Sequence, residues 1–380
     1  MRSILILAFS DIHHDARVAR QIMFLKNSFK LTIVCYGGSV SDDFTVHVIQ
    51  KTSLTILRKT ISSFFLITRL YTTAYKILYN YAFVRNLIGG NKFDLIIAND
   101  IESLPLAFQL YPHANVLFDA HEYAPRHFED KLMWRIFFQG FNTYLCKKYI
   151  PKVKAMTTVG RGLAEEYFKN FGVRPMLVTN AAWFSDLKPS KVGENQIRMI
   201  HHGISTPSRK LELMITMMKY LDDRFTLDLM LIVPPVTSAK TRGYIDRLKS
   251  LAKDDVRINF LPAIKSSEIA PFINQYDIGV FLLPPVNFNY ANTLPNKLFD
   301  FIQAKLAIAI GPTPEMAEIV NRYNNGVVAK DFTPKSLAQK LSELTKEKVA
   351  FFKSQSVLAS KDLSAETNQE TLISLVNSII

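Results

Sequence analysis

The chain has 380 residues, of which 48% are hydrophobic and 21% charged, with only 14 Gly and 17 Pro. This composition fits a globular protein of two or three domains and excludes a disordered, collagen-like or low-complexity chain. The 46 Lys and Arg against 33 Asp and Glu give a formal charge of +13, which suggests nucleic acid, anionic lipid or a phosphorylated small molecule as partner. Cys35 and Cys146 lie in apolar runs and make no disulfide framework, so a reducing compartment is expected.

Short apolar runs alternate with amphipathic stretches along nearly the whole chain. The first series predicts a helix at 16–27 and strands at 3–9, 31–35, 94–98, 115–118, 155–159 and 176–178. The alternation pauses at 180–195, where Pro189, Ser190 and Gly193 indicate a linker. A second series predicts strands at 197–201, 226–233, 256–260, 278–283, 307–310 and 326–329. Continuous apolar strands alternating with helices predict parallel sheets covered on both faces.

We therefore predict an α/β protein with two doubly wound Rossmann-like domains facing a central cleft. The predicted parts are a first domain at 1–180, a linker at 181–196, a second domain at 197–350 and a helical segment at 351–380 that packs back on the first domain. In that last segment, Thr367 and Glu370 have the spacing of a capping box before an apolar stripe. Ligands of such sheets bind beyond the carboxyl ends of the strands, so functional residues are expected in strand-to-helix loops.

The first domain carries most of the excess positive charge. Residues 44–93 contain no Asp or Glu, and aromatic residues are interleaved with their cations. The cations are Lys51, Arg58, Lys59, Arg69, Lys76, Arg85 and Lys92. This mixture favours a helix at an anionic membrane surface, and a helix packed on its own domain with a solvated basic face is the alternative. No nucleic-acid-binding motif is present, so nucleic acid is not expected as a partner. No apolar run reaches the length of a transmembrane helix.

Two loops of the second domain have the residue types of a diphosphate site. Gly203 lets the backbone approach a phosphate, and Arg209 and Lys210 precede a helix whose free N–H groups attract an anion. In the segment 292–301, Asp300 is suited to a ribose diol and Lys297 to phosphate charge. A plain turn with an exposed basic pair, and an ordinary helix start, are the respective alternatives.

Three loops of the first domain contain polar candidates. His121 and Glu122 follow the predicted strand 115–118, and a histidine there can contact sugar hydroxyls or share a proton. The further candidates are Asp15, Arg17, Asn99 and Asp100. The histidines lack metal-ligand spacing, so we expect no catalytic metal. Neither G-x-G-x-x-G nor G-x-S-x-G occurs as a dinucleotide or serine-hydrolase signature.

The order of these segments resembles the GT-B glycosyltransferases, specifically glycosyltransferase family 4. The resemblance spans roughly residues 2–345. It is carried by DARVARQIMFLKNSFKLTIVCYG, FDLIIANDIESLPLA, VLFDAHEYAPRHFE, AMTTVGRGLAEEYFKNFG with MLVTNAAWF, HHGISTPSRK and LPNKLFDFIQAKLAIAIG.

The resemblance implies a hexosyltransferase that retains the anomeric configuration of a nucleotide sugar, with no cofactor or metal. By position, His121, Arg209 and Lys210 would be catalytic. Donor-binding residues would be Gly203, Asn292, Leu294, Lys297 and Asp300, and acceptor-side residues Asp15, Arg17, Asn99, Asp100 and Glu122. The chain has N-x7-D at Asn292 and Asp300 where the family has E-x7-E. The family's Gly-rich loop after the first strand is absent.

The resemblance further implies a cytoplasmic enzyme, peripherally bound to the inner face of the membrane, that acts on a lipid-linked or other saccharide acceptor in surface polysaccharide synthesis. Two alternatives keep the fold. One is a nucleotide-sugar epimerase, and the other is a non-catalytic donor-binding subunit of a polysaccharide assembly complex, which the Asn292 and Asp300 departures favour.

Overall fold

The two series of apolar strands form two separate parallel sheets. In the computed structural model, residues 1–39, 41–51, 54–79, 81, 83–233 and 239–380 are described. Contacts divide the chain into two compact units. Unit 1 comprises Met1–Thr179, Asn287–Asn289 and Asn368–Ile380, and unit 2 comprises Asn180–Val286 and Tyr290–Thr367.

The sheet of unit 1 has the order β3-β2-β1-β4-β5-β6-β7 among the described residues, and every pair is parallel. Its strands are β1 Ser3–Ala8, β2 Lys30–Cys35, β3 Thr45–Val48, β4 Leu95–Asn99, β5 Val116–Ala120, β6 Ala155–Thr158 and β7 Met176–Leu177. The central strands are buried along their length because helices cover both faces. The edge strand β3 exposes Thr45 and Val48, so it lacks the continuous apolar run that predicted the other strands.

Unit 1 also contains eight α-helices in its described N-terminal part. They are α1 Ala16–Leu25, α2 Ile56–Ile67, α3 Tyr71–Leu78, α4 Val84–Leu87, α5 Leu104–Leu110, α6 Leu132–Trp134, α7 Gly140–Tyr149 and α8 Arg161–Phe171. A π-helical turn, Arg135–Gln139, joins α6 to α7. Gly172 ends α8 in the left-handed conformation, with φ of 75°, that glycine adopts without strain.

The sheet of unit 2 has the order β10-β9-β8-β11-β12-β13 and is also parallel over the described residues. Its strands are β8 Ile197–Ile204, β9 Phe225–Ile232, β10 Ile258–Leu261, β11 Ile278–Phe281, β12 Ala307–Ile310 and β13 Gly326–Val328. The helices after β8 are α9 Glu212–Met218, α10 Ala239–Ala252, α11 Ile269–Ile273, α12 Phe288–Ala291, α13 Asn296–Gln303, α14 Pro314–Tyr323, α15 Pro334–Ser342, α16 Lys346–Asp362 and α17 Ala365–Ile379.

The C-terminal helices divide between the two units. Helix α16 lies in unit 2, where buried Lys353 donates hydrogen bonds to the Tyr276 carbonyl at 2.6 Å and to Ser190 Oγ at 2.8 Å. Residues 368–380 lie in unit 1, where Gln369 donates to the Phe24 carbonyl at 3.1 Å.

The expected capping box at Thr367 is wrong, because α17 begins at Ala365. The Thr367 N–H donates to Ser364 Oγ at 3.4 Å, which makes Ser364 the cap. Among the described residues, no helix is both long and apolar enough to cross a membrane.

Candidate functional site

The carboxyl end of β8 forms a buried cluster of basic side chains in unit 2. His201 Nδ1 lies 2.9 Å from the Val280 carbonyl oxygen, so this nitrogen carries the proton and Nε2 is an acceptor. Lys297 Nζ, from α13, lies 3.1 Å from that Nε2 and 4.0 Å from the centroid of the Phe281 ring. Lys297 is only 4% exposed. The sheet therefore fixes the imidazole, and the imidazole orients the buried amine.

The electrostatics of this cluster show an excess of positive charge. Burial, followed by repulsion from Arg209, lowers the pKa of Lys297 well below its usual value, and Asp300 opposes the shift only in part. Burial and the charges of Lys297 and Arg209 lower the pKa of His202 to about 3 and also lower the pKa of His201. Both imidazoles are thus neutral at neutral pH. An anion bound beside Lys297 and Arg209 would favour their charged forms.

Gly203 brings main chain next to these cations. Its φ of 125° lies in a region that other residues rarely adopt. A Cβ at this position would lie 3.2 Å from Lys297 Nζ and 3.7 Å from Arg209 Nη1. The glycine therefore keeps open the space between the strand end and both cations.

The start of α9 differs from the expectation of free N–H groups. The Leu211 N–H donates to the Tyr244 hydroxyl at 2.8 Å, and that hydroxyl donates to the Glu212 carboxylate. The expectation is wrong at Leu211, because a side chain from α10 already occupies its N–H. Lys210 ends the preceding turn in a left-handed conformation with φ of 51°. The positive charge at this helix start therefore lies on the side chains of Arg209 and Lys210 and not on this N–H.

The remaining donor-side candidates lie in α13 or just before it, and their environments differ from one another. Asp300 follows Lys297 by three residues on the same helix face, and its Oδ2 lies 3.5 Å from His202 Nε2. Leu294 packs in the core of unit 2, and its carbonyl accepts a hydrogen bond from Asn180 Nδ2 at 2.9 Å. Asn292 is half-buried between α12 and α13. The structure thus brings Gly203, Lys297 and Asp300 together and places the Leu294 side chain in the core.

In unit 1, Asp119 at the end of β5 is the centre of a buried network. Arg17 donates to its carboxylate through Nη2 and through Nε at 3.0 Å, and Arg17 Nη1 donates to the Val178 carbonyl at 2.9 Å. Gln21 Nε2 donates at 3.0 Å and Thr157 Oγ1 at 2.6 Å. Burial raises the pKa of Asp119, but Arg17 and His121 outweigh burial and hold this pKa far below its usual range. No role had been predicted for Asp119, since its partners lie far away in sequence.

His121 lies between two carboxylates. Its Nδ1 is 3.4 Å from Asp100 Oδ2, and its Nε2 is 3.7 Å from Asp119 Oδ2. Burial lowers the pKa of His121, but the carboxylates of Asp100 and Asp119 raise this pKa by a larger amount, so the net shift is upward. Asp100 adopts a left-handed conformation with φ of 59°. The imidazole is therefore held where it can carry a proton.

Asp15 and Glu122 are already engaged by neighbours. Asp15 caps α1, because its Oδ1 accepts from the Val18 N–H at 3.1 Å and its Oδ2 accepts from Ser10 Oγ at 2.7 Å. Glu122 Oε2 lies 2.7 Å from His127 Nε2. Arg17, bound to Asp119, also holds structure rather than facing open solvent.

A cavity of about 260 Å³ opens at the carboxyl ends of the unit 1 strands. We call it the unit 1 cavity, and its wall consists of Phe9, Tyr36, Lys51, Tyr79, Asn99, Asp100, Ile101, Glu102, Phe118, Ala120, Glu122, Ala124, His127 and Tyr167. The carboxylates on this wall come from different strand ends. Burial, and next the charge of Asp100, raise the pKa of Glu102 to about 7.

The described residues contain no group of three or more His, Cys, Asp or Glu side chains arranged to hold a metal ion. No protein-family model and no curated protein sequence matches the chain.

Solved structures match the whole chain in fold. The sucrose-phosphate synthase of Thermosynechococcus elongatus is 11% identical with a TM-score of 0.75, covering 100% of this chain and 99% of its own. HepE of Anabaena, in complex with UDP and glucose, is 14% identical with a TM-score of 0.68, covering 100% of both chains. An alpha,alpha-trehalose-phosphate synthase (UDP-forming) from Burkholderia vietnamiensis is 10% identical with a TM-score of 0.69 and the same coverage.

These identities are low, so the likeness concerns the fold. Two Rossmann-like parallel sheets in one chain, together with these neighbours, confirm the predicted fold class, and membership in glycosyltransferase family 4 stays a prediction. The chain has the GT-B fold.

Proposed function

We propose that the protein is a glycosyltransferase that moves a hexose from a nucleoside-diphosphate sugar to a saccharide acceptor. The observation that carries this proposal is the pairing of buried Lys297 with Arg209 beside the open backbone of Gly203. The charge of Arg209 repels that of Lys297, and Asp300 offsets this repulsion only in part, so the pair is unfavourable without an anion. The UDP complexes of the HepE structures support a uridine nucleotide as the first donor to test.

The mechanism follows from the charge that develops when the bond between sugar and phosphate breaks. Negative charge collects on the departing diphosphate, and fixed cations beside it lower the barrier without a metal ion. Arg209, Lys210 and Lys297 supply that charge, and neutral His201 keeps the amine of Lys297 pointed at the site. Asp300 accepts hydrogen bonds from the ribose hydroxyls. We propose that His121 contacts the transferred sugar.

We propose retention of the anomeric configuration. The acceptor hydroxyl attacks from the face that the diphosphate leaves, and the diphosphate oxygen takes the proton. NMR of the product of an α-linked donor tests this step. An α-glycoside supports retention, a β-glycoside contradicts it, and an epimerised sugar without a glycoside contradicts transfer itself.

The donor site is tested by comparing UDP with uridine in thermal unfolding of the full chain. A ligand that binds only the folded state stabilises it by about 2.7 kcal/mol at one hundred times its dissociation constant. UDP is expected to raise the melting temperature and uridine to raise it far less, because the diphosphate meets the cations. Equal effects of the two ligands, or no effect of UDP, GDP or ADP, would contradict the proposed donor site.

We further propose that α2 and α3 lie on an anionic membrane surface, where a lipid-linked acceptor of surface polysaccharide synthesis would be found. Helix α2 buries Ser62 and Leu66 in unit 1 but exposes Phe64 to 60%, so part of its apolar surface points away from the core of unit 1. Ile56, Leu57, Ile67 and Leu70 are exposed beside it. Arg58 and Lys76 line a groove with Ile61 and Ile77 on the same surface. Exposed apolar side chains among cations match lipid headgroups better than water.

Vesicle binding tests this surface. Exchange of Arg58, Lys59, Arg69 and Lys76 for Glu should release the protein from phosphatidylserine vesicles, since each basic residue contributes about 1 kcal/mol near such a surface. Exchange of four exposed lysines of unit 2, Lys219, Lys249, Lys335 and Lys361, is the matched control. Sedimentation of the first variant with vesicles to the same extent as the control would contradict the proposal.

A further inference from the structure

A short turn carries Arg209 between the end of β8 and the start of α9. We call it the Arg209 turn, and it comprises residues 206–210. The Arg209 N–H donates to the Thr206 carbonyl at 3.0 Å, and the Lys210 N–H donates to the Pro207 carbonyl at 3.3 Å. These two main-chain hydrogen bonds close the turn on itself, so its position in unit 2 depends on contacts with other elements.

The conformation of the Arg209 turn is one that its own residues disfavour. Lys210 has φ of 51° and ψ of 44°, in the left-handed region where a residue with a Cβ is strained. Such residues persist where the surrounding structure determines the backbone more strongly than local preference does. The charges of Arg209 and Lys297 also repel each other where they converge beside Gly203. Without an external restraint, the turn would relax and the guanidinium would move away from the amine.

Tyr290 of α12 restrains the middle of the Arg209 turn. The Ser208 hydroxyl lies 3.1 Å from the Tyr290 hydroxyl and 3.1 Å from Thr206 Oγ1, so three hydroxyls form one hydrogen-bonded chain. The Tyr290 ring packs against the core cluster of unit 2 that contains Leu294. Because the ring is anchored in this core, its hydroxyl fixes the position of Ser208 and of the neighbouring Arg209.

A second tyrosine fixes the end of the Arg209 turn. The Tyr244 hydroxyl accepts the N–H of Leu211, the residue that follows Lys210. The two tyrosines differ in burial, since Tyr244 is 1% exposed and Tyr290 is half-buried. Loss of the Tyr244 hydroxyl would disturb the core, whereas the Tyr290 hydroxyl can be removed with little effect on packing. Tyr290 is therefore the residue at which the restraint on the turn can be tested.

We infer that Tyr290 is a positioning residue of the proposed donor site, and that it acts through Ser208 to hold the Arg209 turn where the guanidinium meets a diphosphate. This role rests on the proposed function. A restraint that exists before the ligand binds lowers the entropic cost of binding, and a fixed charge needs no reorganisation during the reaction. Because Tyr290 acts through Arg209, its hydroxyl contributes to nucleotide binding only while that guanidinium is present.

Isothermal titration calorimetry of the full chain with UDP tests this role. Tyr290→Phe removes only the hydroxyl and should weaken UDP binding about fivefold, the effect of one neutral hydrogen bond. Tyr323→Phe is the matched control, because the half-buried Tyr323 of α14 also donates one hydrogen bond, to Asp362 at 3.0 Å. The control should bind UDP as the wild type does.

The same substitution in an Arg209→Ala background separates positioning from other roles. There, Tyr290→Phe should change the affinity for UDP by less than about twofold, since residues that act through one another are not additive. A purely structural role, or direct contact of the hydroxyl with the nucleotide, would weaken binding about equally in both backgrounds. A full effect of Tyr290→Phe in the Arg209→Ala background would therefore overturn the inference.

Ser208→Ala breaks the same hydroxyl chain from the other side and covers the case in which Tyr290→Phe fails to fold. It should weaken UDP binding as Tyr290→Phe does, and the double variant should bind no more weakly than either single variant. Unchanged affinity in both single variants would also overturn the inference. Absence of UDP, GDP and ADP binding by the wild type contradicts the donor site itself. Binding that Arg209→Ala weakens and Tyr290→Phe does not contradicts only the positioning role.

Discussion

The two units differ in how the charged side chains at the carboxyl edge of their parallel sheets are paired. In unit 1, the strand ends carry Asp100, Asp119 and Glu122, and the buried Arg17 is balanced by Asp119. In unit 2, the corresponding edge carries Lys297 and Arg209 with two neutral imidazoles. A buried charge that is paired with a counter-charge belongs to the fold. A buried charge that is only partly balanced indicates a binding site for a ligand of opposite charge. The comparison therefore separates residues that stabilise the fold from residues that we propose to bind the donor, and three substitutions test that separation.

The largest effect on stability is expected for Asp119→Asn in unit 1. The change leaves the Arg17 guanidinium buried without its counter-charge, and breaking such a pair costs about 3–5 kcal/mol. Urea unfolding measures this loss. Asp222→Asn removes an exposed pair with Arg224 and should cost under about 1 kcal/mol. If both variants lost a similarly small amount of unfolding free energy, the buried network around Asp119 would not be what stabilises unit 1.

Arg209→Ala in unit 2 should act on turnover rather than on stability. Loss of a single electrostatic donor lowers kcat/KM by about 10²-fold or more. The exposed Arg322 of α14 provides a control, since Arg322→Ala should leave turnover unchanged. Steady-state kinetics with a nucleotide sugar that passes the UDP test measures both variants. Near-normal turnover of Arg209→Ala would contradict the proposal that Arg209 binds the donor.

The smallest expected effect has the opposite sign. Lys297→Met should stabilise the protein by about 1 kcal/mol at pH 7, because methionine has no charge to bury, while UDP affinity falls about tenfold. The folded state holds the pKa of Lys297 below 10.5, so the unfolded state binds more protons in that range and wild-type stability rises toward pH 10.5. The advantage of the variant should shrink over the same range.

Lys335→Met, at an exposed position of α15, is the control for Lys297→Met. It should change neither the stability of the protein nor its affinity for UDP. If Lys297→Met were less stable than the wild type and kept its full affinity for UDP, Lys297 would stabilise the fold and would not bind the donor. The proposed difference between the two units would then be wrong.

Local pattern was sufficient to predict most strands. The runs at 3–9, 31–35 and 307–310 appear as β1, β2 and β12 with boundaries shifted by at most one residue, because a strand buried on both faces is apolar throughout. The edge strand β3 escaped prediction because its exposed side chains leave no such run. Ser364 rather than Thr367 caps α17, since several residues near that helix start can accept the same hydrogen bond.

The candidate site depended far more on contacts between distant residues. The spacing of Gly203 and Arg209 pointed to an anion site, but the imidazole that orients Lys297 is 96 residues away from it in sequence. Tyr244 occupies the Leu211 N–H from 33 residues away. Neither contact leaves a local signal.

By itself, the sequence determined two parallel α/β sheets, a basic chain and loops suited to a diphosphate, because these follow from residue type and from neighbours along the chain. Only the tertiary structure decided which charges are paired. Arg17 looked as available as Arg209 in the sequence, yet Arg17 is held by a carboxylate 102 residues away. Only folding assembled the unit 1 cavity, since its wall comes from strand ends that are distant in the chain. Folding also left the buried Asn99 Oδ1 without a hydrogen-bond partner among the described residues. Pairing, burial and unmet hydrogen bonds are properties of neighbours in space, and the fold chooses those neighbours.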